Sequence, residues 1–527
     1  MNRKDRRKTQ DIGSAKADAP GNKGVSPCHV ERELEPCTLV ILGASGDLTR
    51  GKLIPALFNL YLTKVLPDPF LIVGCGRSEM DDGEFRASSS SLALSTGKAT
   101  EKEWRAFADR LHYLPIVYDD AGSFQKLGAL LDELERQRQP VGNRIFYLAT
   151  PPTLYETLTE QIGMAGLSKE RQDGKGWVRI VIEKPFGHDL SSAISLNHTT
   201  RRYFNEAQVY RIDHYLAKET VQNILTFRFA NAIFEPIWNR SYIDHVHITA
   251  AETLGTGHRA GYYEQAGVLR DMFQNHMLQL LALTAMEPPS RFEAEHVRDE
   301  RAKLFRSLQP FPTDRVQENI VLGQYGPGTI EGRRVPGYRE EPGVDAQSLT
   351  PTYAMMRVFI DNWRWQGVPF YVASGKRLAR KLTNIIIHFK QVPYSMFRNV
   401  LGEHITTNVL TLGIQPEERI FLSFQAKMPG ARLCLQAVNM NFSYDEYYSG
   451  PKLDAYEKAI IDCMLGEQVL FWRQDAVELC WSYLMPILEE CEKCGDREAR
   501  LRFYEAGGWG PRDKDERMML HEHLAET

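Results

Sequence analysis

TLVILGASGDLTR, residues 38–50, sets the fold class. Leu39, Val40, Ile41 and Leu42 are consecutive aliphatic residues, and Gly43, Ala44, Ser45, Gly46, Asp47, Leu48 and Thr49 follow at once. An unbroken apolar run suits a strand covered on both faces, the usual situation in a parallel sheet. The small-residue turn leads into LIPALFNLYL (53–62), which reads as a helix. The pattern repeats downstream. FLIVG (70–74), RIFYLA (144–149) and VRIVIE (178–183) read as strands, with helices expected from about 152 and about 189. This alternation predicts a doubly wound α/β domain of Rossmann type over 37–212.

After about 213 the texture changes. YAMMRVFIDNWRW (353–365), NIIIHFKQV (384–392), NVLTLGI (408–414) and RIFLSFQAKM (419–428) succeed one another across short loops. They predict a large, mainly antiparallel sheet in an α+β domain over 213–511, with helices near 262–283, 453–465 and 475–490. Residues 1–36 are polar and without periodicity and are expected to be a disordered tail. A shorter tail is expected over 512–527.

Composition narrows the function classes. The chain has 527 residues, 43% hydrophobic and 25% charged, with a net charge of −4. Nothing in that balance points to nucleic acid or to an anionic membrane surface. The sequence has no apolar run of the roughly 18 residues a membrane span needs. Eight scattered cysteines do not form a disulfide framework, so a reducing cytoplasm is the expected compartment. Cys491-Glu-Lys-Cys494 is a lone C-x-x-C without a second pair, read as a reduced helix-end pair, and no metal is called for.

The turn at 43–49 fits a pyrophosphate. Gly43 and Gly46 let the backbone approach closely, and a helix start offers unpaired N–H groups. Ser45 replaces the middle glycine of a plain G-x-G-x-x-G, so a ligand-free tight turn is the competing reading. At the end of the next strand, Arg77 stands where an NAD site usually places an acid. A guanidinium there suits a 2′-phosphate and favours NADP; a solvated loop arginine is the alternative.

RIDHYLAKET (211–220) lies where the two domains meet, a favoured place for a ligand cleft. Its charged and ring-bearing side chains are interleaved with apolar residues. AKETVQNILTF, from 217, reads as a helix, so a strand-to-helix bend is expected at 213–216. Without such a bend the neighbours Asp213 and His214 would point to opposite faces.

Together, GASGDL (43–48), EKPFG (183–187), RIDHYLAKE (211–219) and GYYEQAGVLRDMFQNHMLQLL (261–281) resemble the glucose-6-phosphate dehydrogenase family. ATPPTLY (149–155), RFANAIFEPIWNR (228–240) and VPFYVASGKRL (368–378) are similar to the same family, and the likeness runs from about 38 to about 511. The resemblance implies oxidation of β-D-glucose 6-phosphate at C1 to 6-phosphoglucono-1,5-lactone with hydride transfer to NADP, the first step of the oxidative pentose phosphate route. It also implies a homodimer or homotetramer.

By resemblance His276 is the base and Asp213 its partner. His214, Tyr215 and Lys218 hold the phosphate, and Lys184 contacts both sugar and coenzyme. Glu252 and Asp271 bind sugar hydroxyls, and Lys376 approaches the substrate, joined by either Arg380 or Lys381. Ser45, Asp47, Leu48 and Arg77 are the expected coenzyme contacts beside Gly43 and Gly46, with Pro151 and Pro152 on the nicotinamide side. Asp271 and His276 are five apart, roughly 140° around an ideal α-helix, so ordinary helix geometry would not pair them. Ala217 stands where the family commonly has glycine.

Overall fold

A computed structural model describes residues 33–94, 100–138, 142–170, 176–397, 405–430, 433–443, 446, 453–493 and 495–520. Most of the expected N-terminal tail and the end of the C-terminal one lie outside these residues. Cys494 does too; its neighbour Cys491 is buried.

Six strands form the first sheet: β1 (Cys37–Leu42), β2 (Phe70–Gly76), β3 (Leu111–Pro115), β4 (Arg144–Leu148), β5 (Val178–Ile182) and β6 (Val209–Arg211). They lie in the order β3-β2-β1-β4-β5-β6, and all pairs are parallel. That is the order of a dinucleotide-binding sheet. Its strand order reverses between β1 and β4, where a crevice opens beyond the strand ends. Every residue of β1 and β2 is buried, because helices cover both faces, which is why the sequence shows continuous apolar runs there.

The second sheet contains β7 (Ile243–Ala251), β8 (Ile320–Gly326), β11 (Tyr353–Val358), β12 (Phe370–Gly375), β13 (Leu382–Phe389), β14 (Val409–Gln415), β15 (Arg419–Lys427), β16 (Leu435–Ser443) and β17 (Leu501–Glu505). The intervening β9 (Gly328–Ile330) and β10 (Arg333–Val335) pair only with each other. The order is β16-β15-β14-β13-β7-β12-β11-β8-β17, mainly antiparallel, with β7–β12 and β8–β17 parallel. The parallel β7–β12 pair matters for the site, since it brings the C-terminal ends of two strands distant in sequence side by side.

Alternate residues of this sheet serve two cores. Val246, Ile248, Ala250, Ile385 and Ile387 face the helices, in a cluster shared with Phe273, Met277 and Trp481. Tyr353, Met355, Tyr371 and Ile386 point to the other face, where Met518 and Leu520 join them. The chain is therefore packed as far as Leu520, past the expected start of the C-terminal tail at 512. At the other end Glu35 accepts from Trp177 Nε1 at 2.7 Å, so the last residues of the expected N-terminal tail are held as well. The helix Ala455–Leu465 lies in the cluster that backs β1 and β2, although it comes late in the chain. Among the described residues no helix is long and apolar enough to cross a membrane.

Candidate active site

The expected bend is present. After β6 the chain turns through 214–217, closed by Leu216 N–H to the Asp213 carbonyl (3.0 Å), and Glu219–Phe229 then forms a helix. The turn lets Asp213 and His214 serve one centre. Arg211, at the head of this stretch, is structural: its guanidinium is buried and donates to Glu206 (2.7 Å) and Asn197 (3.1 Å).

One departure from the expected geometry decides how the centre is built. Leu269–Met277 is a π-helix, hydrogen-bonded i to i+5, not an ordinary α-helical segment. Such wide turns are rare and concentrate at functional sites. They bring residues five apart close to register, so Asp271 and His276 can face one centre, as the ideal α-helix argument did not allow. The backbone changes course into this segment at Gly267, whose φ of +57° disfavours any side chain.

His276 is fully buried, and its two ring nitrogens have different partners. Nδ1 lies 2.5 Å from Asp213 Oδ1, and Nε2 lies 2.7 Å from Lys184 Nζ. A carboxylate can only accept and an ammonium can only donate. The imidazole is therefore neutral, with its proton on Nδ1 and its Nε2 lone pair facing Lys184. Tyr215 stacks on the ring (4.2 Å between centroids, 24°), and His214 meets it edge-on at 4.7 Å. Asp213 also accepts from the Tyr215 N–H (3.0 Å) and from Trp472 Nε1 (3.4 Å).

The electrostatics agree with this protonation state. Burial pulls His276 below the ordinary histidine value, the Lys184 charge adds to that, and Asp213 works against it. Burial alone would raise Asp213, but its contact and hydrogen bond with His276, with help from His214 and the Lys184 charge, hold it well below the usual carboxylate range. His214 is likewise kept neutral, mainly by burial.

Lys184, just past β5, also reaches the Asp271 carbonyl (3.3 Å) and its carboxylate (3.5 Å). Burial opposes ionisation of Asp271, yet Lys184, Lys376 and Arg259 bring it down to about 2. Glu252 follows β7 and Lys376 follows β12, and their side chains pair at 2.5 Å through the parallel alignment of those strands. Lys218 donates to Gln415 Oε1 at 2.7 Å and sits 3.9 Å above the Tyr215 ring. Burial pushes Lys218 down to about 8, and the charge of Lys381 contributes next. Arg380 and Lys381 both line a groove with Gln415, but Lys381 is the one whose charge registers on Lys218.

The residues expected to contact a coenzyme follow the C-terminal ends of β1, β2 and β4. Gly43 has φ +98°, and a Cβ there would stand 2.5 Å from the Ala149 carbonyl oxygen beyond β4. A second short π-helical turn, Thr49–Leu53, follows the loop. Ser45 is half-buried against Ser78, and Asp47, Arg77 and Pro151 are exposed. Leu48 is half-buried and Pro152 opens a 3-10 turn. The Arg77 guanidinium lies 6.0 Å from the Tyr118 ring centroid. A tight glycine turn at the strand-order reversal, with a cation at the end of β2, fits a dinucleotide phosphate.

The glucose-6-phosphate dehydrogenase NAD-binding domain model matches residues 40–223, and the C-terminal domain model of that family matches 225–524. The chain belongs to the glucose-6-phosphate dehydrogenase family. It is 45% identical to a glucose-6-phosphate 1-dehydrogenase of Aggregatibacter actinomycetemcomitans, over 91% of this chain and 95% of the relative. With that of Chlamydia pneumoniae it shares 43% identity, over 92% and 94%. A solved glucose-6-phosphate dehydrogenase in complex with its substrate glucose-6-phosphate superposes with a TM-score of 0.84 at 33% identity, covering 92% of this chain and 98% of that one. The Mycobacterium avium glucose-6-phosphate 1-dehydrogenase gives 0.74 at 32%, covering 91% and 96%.

Within this glucose-6-phosphate dehydrogenase framework the sequence reading missed several participants. Trp472 reaches Asp213 from far along the chain, and no local pattern marks it. Asn275 Oδ1 accepts the His276 backbone N–H at 2.6 Å. Glu183 is buried against Tyr147 (2.5 Å), and burial raises it to about 7. Its place in EKPFG, directly before Lys184, was the available signal.

Proposed function

We propose that this chain is a glucose-6-phosphate 1-dehydrogenase that oxidises β-D-glucose 6-phosphate at C1 to 6-phosphoglucono-1,5-lactone and prefers NADP. The observation that carries the mechanism is the Asp213–His276–Lys184 chain of contacts. His276 presents a neutral Nε2 to the cleft, the form a general base needs near neutral pH. It takes the proton of the C1 hydroxyl as the C1 hydrogen departs with its electron pair. Asp213 fixes the tautomer and stabilises the imidazolium that forms. When bound, the nicotinamide supplies the hydride acceptor.

Lys184 stands on Nε2 in the free chain, so the C1 hydroxyl takes the position next to the base that the ammonium now holds. We assign Lys184 to aligning sugar and coenzyme, and Asp271 and Glu252 to accepting from sugar hydroxyls, with Lys376 holding Glu252. His214, Tyr215, Lys218 and Lys381 take the 6-phosphate. The half-buried ammonium of Lys218 is suited to a dianion, because a charge-assisted hydrogen bond is stronger away from water. Gly43, Ser45, Gly46, Asp47 and Leu48 cradle the pyrophosphate, Pro151 borders the nicotinamide, and Arg77 pairs with the 2′-phosphate, which supports NADP over NAD. A homodimer or homotetramer in the cytoplasm completes the reading, with light scattering of the purified chain as the check on assembly.

Absorbance at 340 nm with NADP and glucose 6-phosphate tests the activity, and His276→Asn tests the base. The expected loss in kcat is about 10⁴-fold or more, the scale for a coupled catalytic base. Undiminished turnover in the variant would transfer the base role elsewhere. An inactive parent that still binds NADP would reject the enzyme reading.

A further inference from the structure

Away from the cleft, three histidines meet on one face of the second sheet. His245 and His247 are two apart on β7, so they share a face. His388 on β13 is the direct cross-strand partner of His245, and Ile386, two residues before it, pairs with His247. One ring nitrogen from each of the three lies within 4.8 Å of the others. The rings of His245 and His388 stack at 4.2 Å, and His247 stacks on Tyr371 at 4.9 Å.

The arrangement has more than proximity in its favour. His245 Nδ1 lies 2.7 Å from Asp244 Oδ2, which leaves Nε2 as the nitrogen for a ligand. A carboxylate behind an imidazole is the usual support of a metal-bound histidine, since it fixes the ring and strengthens the donor. The Arg517 guanidinium is the nearby opposing charge, and the Asp244 and Asp515 carboxylates face it. Tetrahedral zinc with Zn–N near 2.0–2.1 Å needs nitrogens about 3.3–3.5 Å apart. The three ligand nitrogens lie within 4.8 Å of one another, so zinc would draw them together by rotation of the side chains on adjacent strands.

We infer that His245, His247 and His388 form a zinc site, with Asp244 behind His245 and a fourth position open to water. An all-imidazole set favours zinc, copper or nickel over the hard oxygen-seeking cations. The site is separate from the proposed catalytic centre. His247 precedes Glu252 by five residues along β7 and the turn after it, about 17 Å at an extended rise. Zinc here would clamp two adjacent central strands without touching the reacting atoms.

The test uses the full chain, stripped with chelator and dialysed against zinc, with cobalt(II) as the visible probe. The parent is expected to retain about one zinc per chain, to give cobalt d–d bands of a low-coordinate nitrogen site, and to melt higher with zinc than without. His245→Asn/His388→Asn should lose the bands and the zinc-dependent shift while keeping the parent's metal-free turnover, which shows that it folds. Asp244→Asn keeps every ligand and is expected to weaken zinc about 10- to 100-fold. Zinc retention unchanged in the double variant would overturn the inference. No retention in the parent would overturn it too, since the histidines would then be a packing cluster alone, and an Asp244→Asn affinity equal to the parent's would overturn the supporting role given to Asp244.

Discussion

Lys184 Nζ lies 2.7 Å from His276 Nε2, on the side of the imidazole opposite Asp213. The lysine charge therefore bears directly on the proposed base. It is among the causes that keep His276 below its ordinary value, after burial itself. Removing it should raise the His276 pKa. A base works when deprotonated, so its rate falls as pH drops through that pKa. Lys184→Ala should accordingly show a lower kcat/KM with its acid limb moved to higher pH. A pH–rate profile from 5 to 9 reads this, and an unmoved limb would mean that the ammonium does not face the base in solution.

Asp213 accepts the Nδ1 proton, and an asparagine there can offer an N–H in its place. Asp213→Asn should turn the imidazole to the tautomer with its proton on Nε2, where no lone pair is left for the substrate. The expected loss is roughly 10³- to 10⁴-fold in kcat with little change in glucose 6-phosphate KM. A loss confined to KM would instead make Asp213 a substrate-binding group.

Much of this arrangement was legible in the sequence because it depends on local rules. Uninterrupted apolar runs gave the parallel sheet, since both its faces are covered. The helix read from 217 after the strand placed a bend in RIDHYLAKET, and the turn at 214–217 is that bend. The π-helix at 269–277 was not legible, because i-to-i+5 hydrogen bonding leaves no periodicity distinct from a buried α-helix. Hence the sequence argued against pairing Asp271 with His276, while the backbone permits it. Long-range register is the other gap. Glu252 meets Lys376 only because β7 and β12 run parallel, and His388 meets His245 only because β13 flanks β7. Trp472 reaches Asp213 by tertiary packing alone.

Lys218 offers a second handle on pH. Burial and the neighbouring Lys381 charge push it down to about 8 in the free chain. As pH rises through that value the ammonium is lost, and with it the charge-assisted phosphate contact proposed for it. The KM for glucose 6-phosphate should rise above pH 8 while kcat at saturation stays level. Lys218→Arg, which keeps its charge throughout, should remove the alkaline rise even if its KM is higher overall. An identical KM profile in parent and variant would take Lys218 out of the phosphate grip.

Arg77 stands exposed just past β2, the position that selects between coenzymes in a sheet of this order. Its guanidinium can grip a 2′-phosphate, but a ribose 2′-hydroxyl gives it only a neutral partner. Arg77→Ala should therefore lose kcat/KM for NADP by roughly tenfold or more and leave that for NAD nearly unchanged. The loss should sit in KM, because the 2′-phosphate is bound alike in ground and transition states and takes no part in hydride transfer. Measuring both coenzymes with the same preparation separates the outcomes. A parallel fall for NADP and NAD would mean that Arg77 shapes the loop through Tyr118, and the proposed preference for NADP would lose its support.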